Sequence, residues 1–397
     1  MAAGERMETH MAATLTAREI LDRLVAFPTV SRDGNLELIA WVEGYLADHG
    51  VASTRVPDPT GAKAALFANV GPEAEGGIVL SGHTDVVPVD GQDWTRDPWT
   101  VTEEGGRLYG RGTCDMKGFD ALALAMVPYA LSLDLARPLQ LALSYDEEVG
   151  CIGAPPMIDA MAGALPRAAA CIVGEPTMLR PVTGHNASVL YHVAIRGHEV
   201  HSSRLPEGVS AIHEAGRVLA WVNAANARIR AAEPDPLSAM FEPPFTTVHV
   251  GEISGGTAHN ITARDCTLTV GFRVPAGDDL GAHAAAFEAF LAGLDTDLRG
   301  INPKAGVTFA RGAGVPALRP EARGAAEALA RRVTGDNGTH VVTYGTEAGH
   351  FQDRGYSTIV CGPGDIAQAH QPDEWIAAEQ LRRGEAMLRR VVETLAA

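Results

Sequence analysis

The sequence predicts an α/β protein: one larger domain with a mixed, mostly parallel sheet between helices, split in the chain by a smaller inserted domain. Three observations carry this. Short apolar strands alternate with helical patterns in the first part of the chain. A run of strands and helices in the order β-α-β-β-α-β occupies the middle. The first style then returns, and 397 residues are too many for one ordinary core.

In order, Ile20, Leu21, Leu24 and Val25 recur at helical spacing until Pro28, and a second helix over residues 36–49 stops at Gly50. Strands are expected at residues 64–70, 77–81 and 139–144, with an apolar helix starting near Gly118 between the last two. Its apolar run, residues 121–133, falls short of the ~20 residues of a membrane span and carries Pro128, so it reads as a buried core helix. The middle segment offers strands at 189–196, 246–253, 266–274 and 306–311, with helices at 209–230 and 283–294. That is the ferredoxin-like, split βαβ order of a small antiparallel sheet under two helices. A helix (320–333) and strand-like runs (340–344, 357–361) complete the larger domain. The expected division is residues 14–187 and 312–397 for the larger domain and 188–311 for the insertion.

The formal net charge of -17 argues against nucleic acid or an anionic membrane as partner. The first fifteen residues lack a basic flank followed by an apolar stretch, so no secretory signal is expected. Five scattered cysteines without a C-x-x-C pair read as reduced thiols, and a cytoplasmic location is expected.

Five segments place acids and histidines where apolar strands end, which is where α/β sites form. Ser81–Asp85 puts His83 and Asp85 two apart on one side of an extended chain; alone, such an H-x-D is a coincidence more often than not. Gly110–Gly118 is a glycine-rich loop with Asp115 at its centre, and it lacks the terminal G-K-[ST] of a phosphate loop. Asp146-Glu147-Glu148 ends a core strand; three acids in a row are ordinarily a solvated face, but this setting favours a site. Gly174-Glu175-Pro176-Thr177 and Ala369–Glu374 complete the set. Two histidines and several carboxylates, with no cysteine ligand, suit zinc with nitrogen and oxygen ligation. Two metals about 3.5–4 Å apart are a standard device for hydrolysis.

The ordered set S-G-H-T-D, G-R-G-x-x-D-M-K-G, D-E-E-x-G, G-E-P-T and A-H-Q-P-D-E resembles the acetylornithine deacetylase / succinyl-diaminopimelate desuccinylase / carboxypeptidase G family over nearly the whole chain. The resemblance implies two zinc ions, with cobalt as the alternative, bridged by Asp115. His83 and Glu175 would complete one site, and Glu148 and His370 the other. Asp85 would orient His83, Glu147 would be the general base, and the peptide after Asp115 would be cis.

The inserted segment is similar to the family's lid and dimerisation domain, which implies a homodimer. His201, within G-H-E-V-H-S-S, matches a histidine that helps hold the oxyanion in the partner subunit's site. Asn260, Arg273 and Thr346 match positions that grip the substrate; Arg273 also has a bland reading as a lid ion pair. The implied reaction is metal-assisted hydrolysis of the amide of a small N-acyl amino acid. Gly345–Gly349 is most similar to the acetylornithine deacetylase branch, of arginine biosynthesis, and Glu347 would suit a distal ammonium. Succinyl-diaminopimelate, other N-acyl amino acids and small dipeptides stay open as substrates, and a non-catalytic metal-binding protein is the rival from another class. A nucleotide-binding reading of Gly362–Ala367 fails because Pro363 and Pro372 prevent the helix it needs, and no G-x-S-x-G elbow is present.

Overall fold

The computed structural model describes residues 14–397; the N-terminal stretch read above as lacking a secretory signal lies mostly outside them. Helix α1 (Ala17–Val25) begins on a capping box, Thr16 with Glu19, and buries Ile20, Leu21, Leu24 and Val25. Helix α2 (Leu36–Asp48) follows. Then come β1 (Ser53–Pro57), β2 (Ala64–Val70), β3 (Ile78–His83) and a short hairpin, β4 (Thr102–Glu104) with β5 (Arg107–Tyr109). The apolar helix α3 (Lys117–Leu131) is buried almost all round, as its sequence requires, and packs against α1 and β3. Strand β6 (Leu139–Ser144), α4 (Ala154–Ala164) and β7 (Ala170–Pro176) close this segment.

The middle of the chain supplies β8 (Val182–His185), β9 (Ala187–Arg196), α5 (Ala211–Arg230), β10 (Thr247–Gly255), β11 (Asp265–Val274), α6 (Leu280–Ile301) and β12 (Gly306–Arg311). The remainder is α7 (Ala325–Thr334), β13 (His340–Val342), α8 (Ala348–Asp353), β14 (Thr358–Gly362), β15 (Trp375–Ala377) and α9 (Ala378–Glu393). The chain divides into two compact units. Among the described residues, one comprises those up to 181 with 323–338 and 356–397; the other comprises 182–322 with 339–355.

In the first unit the strand order is β1-β2-β6-β3-β7-β14. Strands β6, β3, β7 and β14 run parallel, while β1 and β2 are antiparallel. The α/β class and the mixed, mostly parallel sheet are as expected. The parallel strands β3, β6 and β7 are buried along their whole length, the pattern of a sheet covered on both faces. Their C-terminal ends deliver His83, then Asp146–Glu148 just beyond Ser144, and Glu175.

The second unit holds a four-stranded antiparallel sheet in the order β10-β11-β9-β12. Strand β9 alternates strictly: Ala187, Val189, Tyr191, Val193 and Ile195 are buried against a core shared with α5 and α6. Strand β8 pairs with β13 in parallel. Among the described residues no helix is long and apolar enough to cross a membrane.

Candidate metal centre

All five candidate ligands lie in the first unit and converge into two groups that share Asp115. His83, Asp115 and Glu175 form one; Asp115, Glu148 and His370 form the other, and in each the ligand atoms lie within 4.8 Å of one another. His83 Nε2 is 3.1 Å from Asp115 Oδ1 and 3.7 Å from Glu175 Oε1. His370 Nε2 is 3.3 Å from Asp115 Oδ2 and 3.1 Å from Glu148 Oε2. Each oxygen of Asp115 therefore faces a different histidine. The Asp115–Met116 peptide is cis, as the family resemblance implies.

Asp85 meets the His83 ring with both its main chain and its carboxylate. His83 Nδ1 donates to the Asp85 backbone carbonyl at 2.9 Å, while the carboxylate lies 3.5 Å away. That carboxylate also accepts the Ser31 hydroxyl at 2.7 Å and the backbone N–H groups of Glu147 and Glu148 at 3.1 and 3.3 Å. Asp85 thus fixes the His83 ring and, through its side chain, the Glu147–Glu148 turn. The turn is further pinned at Asp146, in a left-handed conformation, by Lys63 at 2.6 Å.

The electrostatics fit a divalent cation. Burial, then the neighbouring Asp115 charge, pushes Glu175 well above the usual carboxylate range, and Glu148 is raised by the same two causes. Burial pushes Glu147 up to about 8; the attraction of His83 pulls the other way, while Glu148, Asp115 and Asp85 add repulsion. Burial opposes ionisation of Asp115 too, yet hydrogen bonds from His370 and His83 hold it below its ordinary value. Bonds to Asp115 and Glu148 raise His370 to about 10. Carboxylates this close resist ionising together, so the cluster favours bound positive charge. Imidazole and carboxylate donors suit zinc or a similar transition metal.

The residues expected to touch substrate belong to the second unit. His201 caps the turn Ser202–Glu207, and the backbone carbonyl of Asn260 accepts the Ser202 N–H at 2.9 Å, so the His201 and Asn260 segments are neighbours. Both side chains are exposed. Arg273 is exposed on β11, beside Ser188 of β9 and Thr247 of β10. Thr346 and Glu347 are fully buried where α8 begins, and Thr346 Oγ1 accepts the Ala348 N–H at 3.0 Å.

Residues 79–394 match the model of peptidase family M20/M25/M40. The chain belongs to this family. It is a hydrolase of the M20 group, and similarity runs through nearly its whole length. It is 37% identical to an acetylornithine deacetylase from Myxococcus xanthus, over 96% of this chain and 98% of the relative. Among solved structures, an M20 metallo-carboxypeptidase from Sulfolobus solfataricus is similar with a TM-score of 0.77 at 16% identity, covering 95% of this chain and 98% of that one. A dinuclear metal-binding M20 peptidase from Bacillus subtilis is similar with a TM-score of 0.61 at 13% identity, covering 96% and 97%. The M20 assignment agrees with the sequence-based expectation of a metal-dependent amide hydrolase.

Several structural partners of the site were not read from the sequence. Ser31 and Cys151 touch the carboxylates of Asp85 and Glu147, the thiol lying 3.2 Å from Glu147 Oε1. Arg111 and Glu374 form a buried ion pair at 2.7 Å. Both sit inside motifs quoted above, but neither motif says that the two meet.

Proposed function

We propose that the chain hydrolyses the amide of a small N-acyl amino acid, most closely N-acetylornithine, giving ornithine and acetate in arginine biosynthesis. The observation that carries this is the pair of three-residue groups sharing Asp115, supported by the 37% identical acetylornithine deacetylase. His83, Asp115 and Glu175 would hold one zinc ion, and Asp115, Glu148 and His370 the other; cobalt suits the same donors. When bound, such metals supply a Lewis acid and a water acidified towards neutrality.

This chain's own residues do the rest. Glu147, beside Glu148 and raised towards neutral pH, takes the proton of the attacking water and returns it to the leaving nitrogen. Asp85 holds the turn that carries it. We assign His201 to the oxyanion, supplied from a second copy of the chain in a homodimer built through residues 188–311. Asn260, Arg273 and Thr346 would grip the substrate carboxylate and backbone, and buried Glu347 would meet a distal ammonium. A cytoplasmic location goes with this role.

Steady-state hydrolysis of N-acetylornithine, succinyl-diaminopimelate and N-acetylmethionine, each with added zinc and with a chelator, tests the reading. Metal-dependent preference for N-acetylornithine is expected. Another preference would discard the substrate and keep the reaction; no hydrolysis of any amide would overturn both.

A further inference from the structure

We propose that Glu374, acting with Arg111 and Gln92, is a positioning unit that clasps the Asp115 loop to the His370 loop and so sets metal affinity and rate without touching substrate. The proposal rests on the two-metal reading above. Glu374 follows His370 by four residues and Arg111 precedes Asp115 by four, and the two are 1% and 0% exposed. Arg111 Nη1 donates to Glu374 Oε2 at 2.7 Å. The other oxygen, Oε1, accepts the backbone N–H of Cys114 at 2.9 Å and of Asp115 at 3.1 Å. One carboxylate from the His370 loop therefore grips the main chain of the shared aspartate directly.

A second route runs the other way. Arg111 Nη2 donates to Gln92 Oε1 at 2.5 Å, and Gln92 Nε2 donates to the His370 carbonyl at 2.9 Å. The Gly110 N–H also donates to the Glu374 carbonyl at 2.9 Å. His370 itself sits at φ 62, a left-handed backbone that a non-glycine residue keeps only where its surroundings over-determine it. The clasp supplies that determination.

An apolar pair of the same shape would serve stability as well or better, since burying two charges is costly. What an apolar pair would not do is accept two N–H groups on one side and reach a carbonyl, through Gln92, on the other. The arrangement makes sense as a device that fixes the spacing of Asp115 Oδ2 and His370 Nε2, now 3.3 Å apart. Groups behind metal ligands commonly change metal affinity or activity by about 10–100-fold when altered.

The test uses the full chain with three variants: Gln92→Ala, Glu374→Gln, and Arg111→Met combined with Glu374→Gln, which removes both charges together so that no lone ion is buried. Zinc affinity is read by competition with a chromophoric chelator, bound zinc by elemental analysis, and folding by the melting temperature of the metal-free protein. The expected result is metal-free melting within a few degrees of the parent for Gln92→Ala and the double variant, with zinc bound about 10–100-fold more weakly. The value of kcat per bound zinc should fall while KM stays within about twofold, the pattern of an interaction lost only in the transition state; counting per bound zinc removes the effect of a smaller loaded fraction. Folded variants with the parent's zinc affinity and kcat would overturn the clasp while leaving the metal reading intact. A parent chain that takes up no zinc would overturn both.

Discussion

The Asp85 carboxylate accepts the backbone N–H of Glu147 at 3.1 Å, so the residue two beyond one candidate ligand holds the proposed base in place. Asp85→Asn would turn one acceptor oxygen into a donor facing Ser31 or the Glu147–Glu148 turn. Loss of such a bond at a buried site costs about 1–3 kcal/mol. The expected outcome is a 10–100-fold loss of kcat with weakened metal binding, checked by kinetics alongside metal content. A variant with parental kcat would show that the turn needs no help from Asp85.

Glu147→Gln keeps the size and much of the hydrogen bonding of the side chain but cannot carry a proton. Removing a general base typically costs about 10²–10⁴-fold. The variant should therefore retain the metal content of the parent and lose rate on that scale. Elemental analysis and kcat measured on the same sample decide it, and near-full activity would remove Glu147 from the reaction.

How much of this was legible beforehand follows from what each feature depends on. The apolar strand Leu139–Ser144 and the run Asp146–Glu148 just after it are local, so both were readable. So was strand β9, whose alternating burial is the period-two signal of one covered face. Helix α4 has no place in the sequence reading; Pro155 and Pro156 stand in its first turn, where prolines are acceptable but add no helical signal. Strand β1 is half-exposed and ends in proline, which leaves little apolar signal. The Arg111–Glu374 pair joins positions 263 apart, and no spacing rule in the sequence reaches that far.

The acidic cluster predicts stabilisation by metal. Glu175 and Glu148 are raised by burial and by Asp115, so a divalent cation binding the folded chain relieves repulsion that the unfolded chain lacks. At a free zinc concentration 100-fold above Kd, linkage gives about 2.7 kcal/mol. Thermal melts with zinc and with a chelator should differ by several degrees. Coincident melts would contradict a folded-state metal site.

Packing around Glu175 allows a second structural test. A Cβ added at Gly174 would lie 1.9 Å from Phe119 Cγ, inside the core beneath the G-E-P-T segment. Phe119 is 1% exposed and has no room to yield. Gly174→Ala should cost about 1–3 kcal/mol or more through overpacking and displace Glu175. Urea denaturation would register the loss, and a neutral outcome would mean that α3 shifts freely.

In the second unit, His185 and His350 make stability depend on acid. Burial is the main cause holding each near 4; His350 adds to the effect on His185, and Arg354 to that on His350. The folded chain therefore keeps both neutral at pH values where the unfolded chain, with histidines near ~6.5, protonates them. Protons bind the unfolded state more, so this contribution is full above ~6.5 and is lost as pH falls towards 4. For fully buried His185 the loss is on the order of 3 kcal/mol across that window. Carboxylates raised in the metal centre act with the opposite sign, so the measurement is a difference: urea unfolding of the parent and of His185→Gln at pH 7.5 and pH 5. The parent should lose more stability than the variant on acidification. Equal losses would mean that His185 is protonated in the folded chain as readily as in the unfolded one.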